Sequence, residues 1–214
     1  MTAGSRPTTT PTPRRVPESL SAVLAHRAGT EPARGAIHCG REELTFGTWH
    51  ERADAVAAGL LAHGLDLGER VALLYGNGDW IDYAIAYLGV QRAGAVAVPM
   101  SDRLAPAELR HLLRHSGAAA VLHRAGLTPP DAGTGAWTAT IEDVEAYFPG
   151  TFLPDIEPGG LAQILYTSGT TGIPKGVAAT HANLAHGCTF DARRRPLGHS
   201  EHFLHAFPIG TNAG

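Results

Sequence analysis

Apolar residues along this chain alternate between two rhythms. From Phe46 to His63, Trp49, Ala53, Val56 and Leu60 recur at steps of four, three and four, the spacing that lines one face of an amphipathic helix, and Gly64 marks its end. After the connector LDLGER, Val71–Tyr75 is an unbroken apolar run, as in a strand buried on both faces. Asp79 is placed to cap a second helix whose Trp80, Tyr83, Ala84, Tyr87 and Leu88 form a stripe, with Gly94 as its stop. Ala95–Val98 reads as a strand closed by Pro99. Pro106 suits the first turn of a third helix through His115, and Ala118–Leu122 is another apolar strand. Upstream, Pro17–His26 reads as a short helix, and Ala36–Cys39 and Glu43–Thr45 flank Gly40-Arg41 as a small hairpin. Helices alternating with short apolar strands need crossover connections, so the fold class is α/β: a mostly parallel sheet flanked by helices.

Between Arg124 and Gly160 the rhythm fades into Gly and Pro clusters around the segment TIEDVEAYF, which predicts a long surface connection with one short helix. Leu161–Tyr166 then resumes as a strand. With 43% hydrophobic and 17% charged residues the chain can bury a substantial core. The 20 acidic and 17 basic residues give a net charge of −3, with no basic stripe to attract a phosphate backbone, so nucleic acid is not an expected partner. Residues 1–15, rich in Thr and Pro and without an apolar stretch, read as a disordered tail. The most apolar region, Tyr83–Met100, is interrupted by Gln91 and Arg92 and is not expected to span a membrane. Cys39 and Cys188 stand far apart and outside any CxxC pair, which suits a reducing cytoplasm and leaves Cys188 as an inert thiol.

The candidate chemistry lies directly after the last apolar strand. Thr167-Ser-Gly-Thr-Thr-Gly-Ile-Pro-Lys-Gly176 concentrates hydroxyls and glycines before Lys175, the one lysine among the 17 basic residues. Gly169 and Gly172 allow backbone N–H groups to approach phosphate oxygens, Thr167, Ser168, Thr170 and Thr171 add hydroxyl donors, and Lys175 adds a compact positive charge. This is not a Walker A loop, in which Gly-Lys-Ser/Thr opens a helix: Pro174 precedes the lysine, and Gly176–Ala179 continues as an extended segment.

The string YTSGTTGIPKGV, Tyr166 to Val177, resembles the signature of the adenylate-forming (AMP-binding) superfamily, which includes acyl-CoA synthetases and the adenylation domains of peptide synthetases. Further likenesses follow in the family's order: Leu44-Thr45-Phe46, the GERVALL segment from Gly68, the Gly76-Asn-Gly-Asp turn, Arg92–Pro99, Pro106-Ala-Glu-Leu and Thr180-His-Ala-Asn-Leu184. The resemblance implies activation of a small carboxylic acid by Mg-ATP to an acyl-adenylate, followed by transfer to coenzyme A or, in the alternative, to a carrier protein. The cofactors it implies are ATP, Mg2+ and coenzyme A. The site residues it implies are Thr167, Ser168, Gly169, Thr170, Thr171, Gly172 and Lys175, holding the phosphates that leave.

By that resemblance residues 16–214 correspond to part of the family's N-terminal domain. The family's aromatic-Gly-x-Thr-Glu and Thr-Gly-Asp segments and its second lysine do not occur here. The family's strand ending in PLFH has Pro208-Ile209 as counterparts, but Gly210-Thr211 replace the aromatic-His pair. The expectation is therefore an N-terminal piece with little turnover by itself, and a non-catalytic remnant is the contrasting reading. His199, His202 and His205, with His181 and His186 upstream, do not follow zinc-ligand spacing and read as a solvated loop, so no resident metal site is expected. Arg193-Arg-Arg195 reads as a solvated charge run, and Trp49, Trp80, Tyr83 and Tyr87 as core.

Overall fold

The computed structural model describes residues 16–145, 152–167, 174–190 and 202–211. The expected tail, the centre of the Gly/Thr segment and the arginine run lie outside the described residues. The chain opens with α1 (Leu20–Thr30), β1 (Gly35–Cys39), β2 (Glu42–Thr45) and α2 (Phe46–Ala62). Next come β3 (Arg70–Tyr75), α3 (Trp80–Arg92), β4 (Val96–Ser101), α4 (Pro106–Ser116) and β5 (Ala118–His123). The last elements are β6 (Trp137–Ala139), α5 (Ile141–Val144), β7 (Leu161–Thr167), β8 (Lys175–Thr180) and α6 (His181–Leu184). The main sheet runs in the order β6-β5-β3-β4-β7-β8, parallel from β6 to β7, with β8 antiparallel at the edge; β1 and β2 form the separate antiparallel hairpin.

β3 explains why the sheet is covered on both sides. Its odd positions Val71, Leu73 and Tyr75 pack with Val56 and Leu60 of α2 and Ile85 of α3. Its even positions Ala72 and Leu74 pack with Leu109, Leu112 and Leu113 of α4. Successive side chains of a strand point to opposite faces, so an unbroken apolar run needs a layer on each. The expected aromatic stripe is core: Trp49, Trp80 and Tyr87 pack against the α2–α3 cluster to which the buried Tyr83 belongs. Trp49 Nε1 donates to the carbonyl of Ala84 (2.9 Å), and Tyr87 Oη to Gln163 Oε1 (2.7 Å). The bidentate pair of Arg52 with Glu145, both contacts at 2.7 Å, ties α2 to the residue after α5.

Four local expectations change. The first helix lies at Leu20–Thr30, not Pro17–His26, because Ser19 Oγ accepts the Ala22 N–H (3.1 Å) and so sets the helix start beyond Pro17. Asp79 sits at the N-cap of α3 but makes no side-chain cap bond to the helix. Its Oδ2 instead accepts the N–H of Gly76 (2.9 Å), tightening the turn after β3. Pro99 does not close β4, which continues to Ser101. Val96 and Asp102 donate to Glu69 and Tyr75 on the β3 side, so residues of the other parity face β7; Pro99 has its missing donor there, where the β4–β7 pairing is confined to Ala97↔Gln163. Finally, the connection from Arg124 to Gly160 contains not only the expected short helix, as α5, but also β6, paired from Ala120↔Trp137 to Leu122↔Ala139.

Candidate functional site

The site is built at the free edge of the sheet. β7 and β8 form an antiparallel hairpin in which Tyr166 faces Gly176 and Thr167 faces Lys175. Of the seven expected phosphate-binding residues, Thr167 and Lys175 are described, and they stand opposite one another as the last residue of β7 and the first of β8. Ser168, Gly169, Thr170, Thr171 and Gly172, between them in sequence, lie outside the described residues. The hairpin therefore brings a threonine hydroxyl and an exposed ammonium to the two ends of one Gly/Thr-rich connection. Both groups donate hydrogen bonds, the type of donor set that phosphate oxygens accept. The expected extended segment after Lys175 is present as β8, and the residues Lys175–Ala178 along it are exposed.

Contacts at both ends shape this hairpin. Tyr166 Oη lies 2.7 Å from Nδ1 of His115 on α4, with the two rings edge-on at 5.6 Å. Burial raises the Tyr166 phenol above its ordinary pKa, so it keeps its proton. Gly176 lies below the Tyr166 ring; a Cβ there would come within 2.9 Å of Ile164 Cγ2 and 3.6 Å of the ring, so the glycine permits that close approach. On the far side Thr180 Oγ1 accepts the Asn183 N–H (3.1 Å), starting α6, and the His181 N–H donates to Gly160 just before β7. The His115–Tyr166 contact was missed by pattern reading because its partners are 51 residues apart. Its only sequence signal is the pairing of His111 and His115 one helical turn apart on α4.

The histidines otherwise require correction. His181 is not part of a solvated loop: it is 4% exposed as the first residue of α6, its Nδ1 has no hydrogen-bond partner, and burial lowers its pKa from the usual imidazole range. His202 and His205 do lie in an irregular segment, with His205 edge-on against Trp80 at 4.9 Å; His199 lies outside the described residues. No group of three or more metal-ligating side chains occurs among the described residues. Residues 202–211 form no strand, so the likeness of Pro208-Ile209 to a strand end does not extend to backbone structure; Ile209 is nonetheless buried, its N–H donating to Asn77 Oδ1 (3.2 Å). No helix among the described residues is long and apolar enough to cross a membrane.

A parallel α/β core that ends in a Gly/Thr-rich hairpin closed by a lysine defines a class, and comparison with known proteins names it. Residues 24–214 match the family described as AMP-binding enzyme, and the chain belongs to that family of adenylate-forming proteins. Feruloyl-CoA synthase of Amycolatopsis sp is 33% identical over 199 residues, covering 90% of this chain and 39% of the synthase. A phosphinothricin tripeptide synthetase of Streptomyces viridochromogenes is 36% identical over 199 residues, covering 90% of this chain and 16% of that protein. Among solved structures, the fatty acyl-adenylate ligase of L. pneumophila in complex with acyl adenylate and pyrophosphate superposes with a TM-score of 0.66 at 29% identity, over 78% of this chain and 31% of the ligase. The chain thus spans less than half the length of each of these relatives.

Proposed function

We propose that this chain carries the phosphate-binding part of an ATP-dependent carboxylate–CoA ligase, and that Thr167, Ser168, Gly169, Thr170, Thr171, Gly172 and Lys175 hold the β- and γ-phosphates of ATP. The observation that supports this reading most directly is the Thr167↔Lys175 pair at the mouth of the β7–β8 hairpin, because it places a hydroxyl and the chain's one lysine at both ends of the family's signature segment. Formation of an acyl-adenylate shifts negative charge onto the departing pyrophosphate. Fixed donors and a fixed positive charge at that position stabilise the transition state more than the ground state. Lys175 would supply that charge, and the hydroxyls would orient the phosphates for attack by the carboxylate on the α-phosphorus.

Mg2+ fits this scheme as an ion carried in on the nucleotide, since the described residues near the hairpin offer hydroxyl and ammonium donors in place of a carboxylate cage. When bound it would neutralise phosphate charge. The second reading, adenylation for a carrier protein, is favoured by the likeness to the phosphinothricin tripeptide synthetase. The chain spans less than half the length of the relatives that carry either reaction, and in both readings it is expected to bind Mg-ATP with little turnover. The test is carboxylate-dependent exchange of labelled pyrophosphate into ATP, run beside ATP-dependent protection of the amides from Thr167 to Gly176. Protection without appreciable exchange is the expected result. Absence of both would overturn the reading, and robust exchange would refute the expectation of little turnover.

A further inference from the structure

The hairpin that carries Thr167 and Lys175 is weakly tied to the rest of the sheet. Among the described residues β7 pairs with β4 at Ala97↔Gln163 alone, and β8 has no neighbour on its outer side. At the end where Thr167 and Lys175 stand, a side-chain contact between Tyr166 and His115 joins the hairpin to α4. Tyr166 packs with Ile164 against the α4 side of the sheet, its ring over the backbone of Gly176, the residue next to Lys175. The Tyr166 ring, carried on β7, therefore lies directly beside the β8 backbone. We propose that His115 is a positioning residue which, through Tyr166, sets the separation and direction of Thr167 and Lys175 for the phosphate group they flank. This rests on the phosphate-binding reading above.

The chemistry of the contact supports a directed hydrogen bond. The phenol, held protonated by burial, can donate to Nδ1 of His115 in the tautomer that carries its ring proton on Nε2. The imidazole is itself held from behind: the ring of His111, one turn earlier on α4, lies 5.9 Å from it at an interplanar angle of 34°. α4 is a firm base for this arm. Leu109, Leu112 and Leu113 anchor it to the core, and Gly117 closes it at φ 60°, the left-handed geometry that glycine adopts without strain. His115 touches neither Thr167 nor Lys175 in the contacts described, so its action is indirect.

The test uses the whole chain and the variants His115→Leu, His115→Gln, Tyr166→Phe and the Leu/Phe double variant. Without ligand, amide hydrogen exchange at Thr167, Lys175 and Gly176 is expected to accelerate about three- to tenfold in His115→Leu and in Tyr166→Phe, the range set by loss of one ordinary hydrogen bond. The double variant should be no worse than either single one, because both remove the same bond. His115→Gln, whose carbonyl can accept from the phenol, should restore wild-type exchange. Amides of β3 should be unchanged. Uniform acceleration that includes β3, additive single effects, or no rescue by glutamine would overturn the proposal in favour of a general packing role.

Binding of inorganic pyrophosphate and of Mg-ATP is then measured on the same set. His115→Leu should weaken both by the factor seen in exchange, and equal affinities despite loosened exchange would overturn the positioning role. Failure of the wild-type chain to bind either probe would instead refute the phosphate-binding reading itself. The two failures are distinguishable because the exchange comparison needs no ligand.

Discussion

β3 and the β7–β8 hairpin belong to one sheet but to different physical regimes. In β3, Val71, Ala72, Leu73 and Leu74 are at most 1% exposed, with α2 and α3 on one face and α4 on the other. In β8, Lys175, Gly176, Val177 and Ala178 are all exposed, and its outer edge is unpaired among the described residues. Apolar burial is the main favourable contribution to stability, so the fold is held by the β3 half, while the residues proposed to do chemistry stand where few buried contacts constrain them. That division suits the proposed contact with phosphate: donors open to solvent on an element positioned by a rigid neighbour. It also makes the two halves separable by mutation.

The largest effect should come from the core. Leu73→Ala removes a fully buried side chain from the centre of β3 and should destabilise the chain by about 2–5 kcal/mol. Chemical denaturation checks this, and a loss below about 1 kcal/mol would break the assignment of stability to this half. Lys175→Ala should do the opposite. It should leave the denaturation midpoint unchanged, because the side chain is exposed, and weaken pyrophosphate binding about 10- to 100-fold, the range for loss of a hydrogen bond to a charged group. A variant that lost stability in step with binding would erase the contrast between the two regions.

The same contrast explains how much of the molecule could be read in advance. The alternation of α2, β3, α3, α4 and β5 was legible because each buries a continuous apolar face, and burial leaves a periodic trace in sequence. The phosphate-binding candidates stand out for another reason: Gly, Thr and Lys are clustered within one segment. What escaped depends on partners remote in sequence. β6 is three residues long and exists through pairing with β5, so Trp137-Thr-Ala139 carries no period of its own. Pro99 looks like a strand end until the parity of the β3–β4 hydrogen bonds shows that its missing donor faces the weakly paired side. His115 and Tyr166 meet through the packing of α4 on the sheet, and neither residue announces the other.

The smallest effect concerns the far end of the hairpin. His181 closes that end: its N–H bonds Gly160 ahead of β7, and its side chain is buried with Nδ1 unpartnered. Burial disfavours the charged imidazolium and holds the folded-state pKa below the ordinary value of 6.5. As pH falls below 6.5 the unfolded chain takes up a proton while the folded chain still resists it, so folding stability declines until the folded-state pKa is passed. His50 contributes with the same sign, its pKa lowered by burial and by Arg92, whose Nη1 lies 2.7 Å from Nδ1. Thermal unfolding from about pH 7.5 down to about pH 5.5 should therefore show a falling midpoint, in the window where unperturbed histidines titrate. His181→Leu, which replaces the titrating ring by an apolar side chain, should flatten that slope in part and leave the contribution of His50. Amide exchange should place the acid-induced loosening that disappears in His181→Leu at α6 and the start of β7, with β3 unaffected. An unchanged slope would mean that His181 is protonated in the folded chain and that this end of the hairpin is open to water.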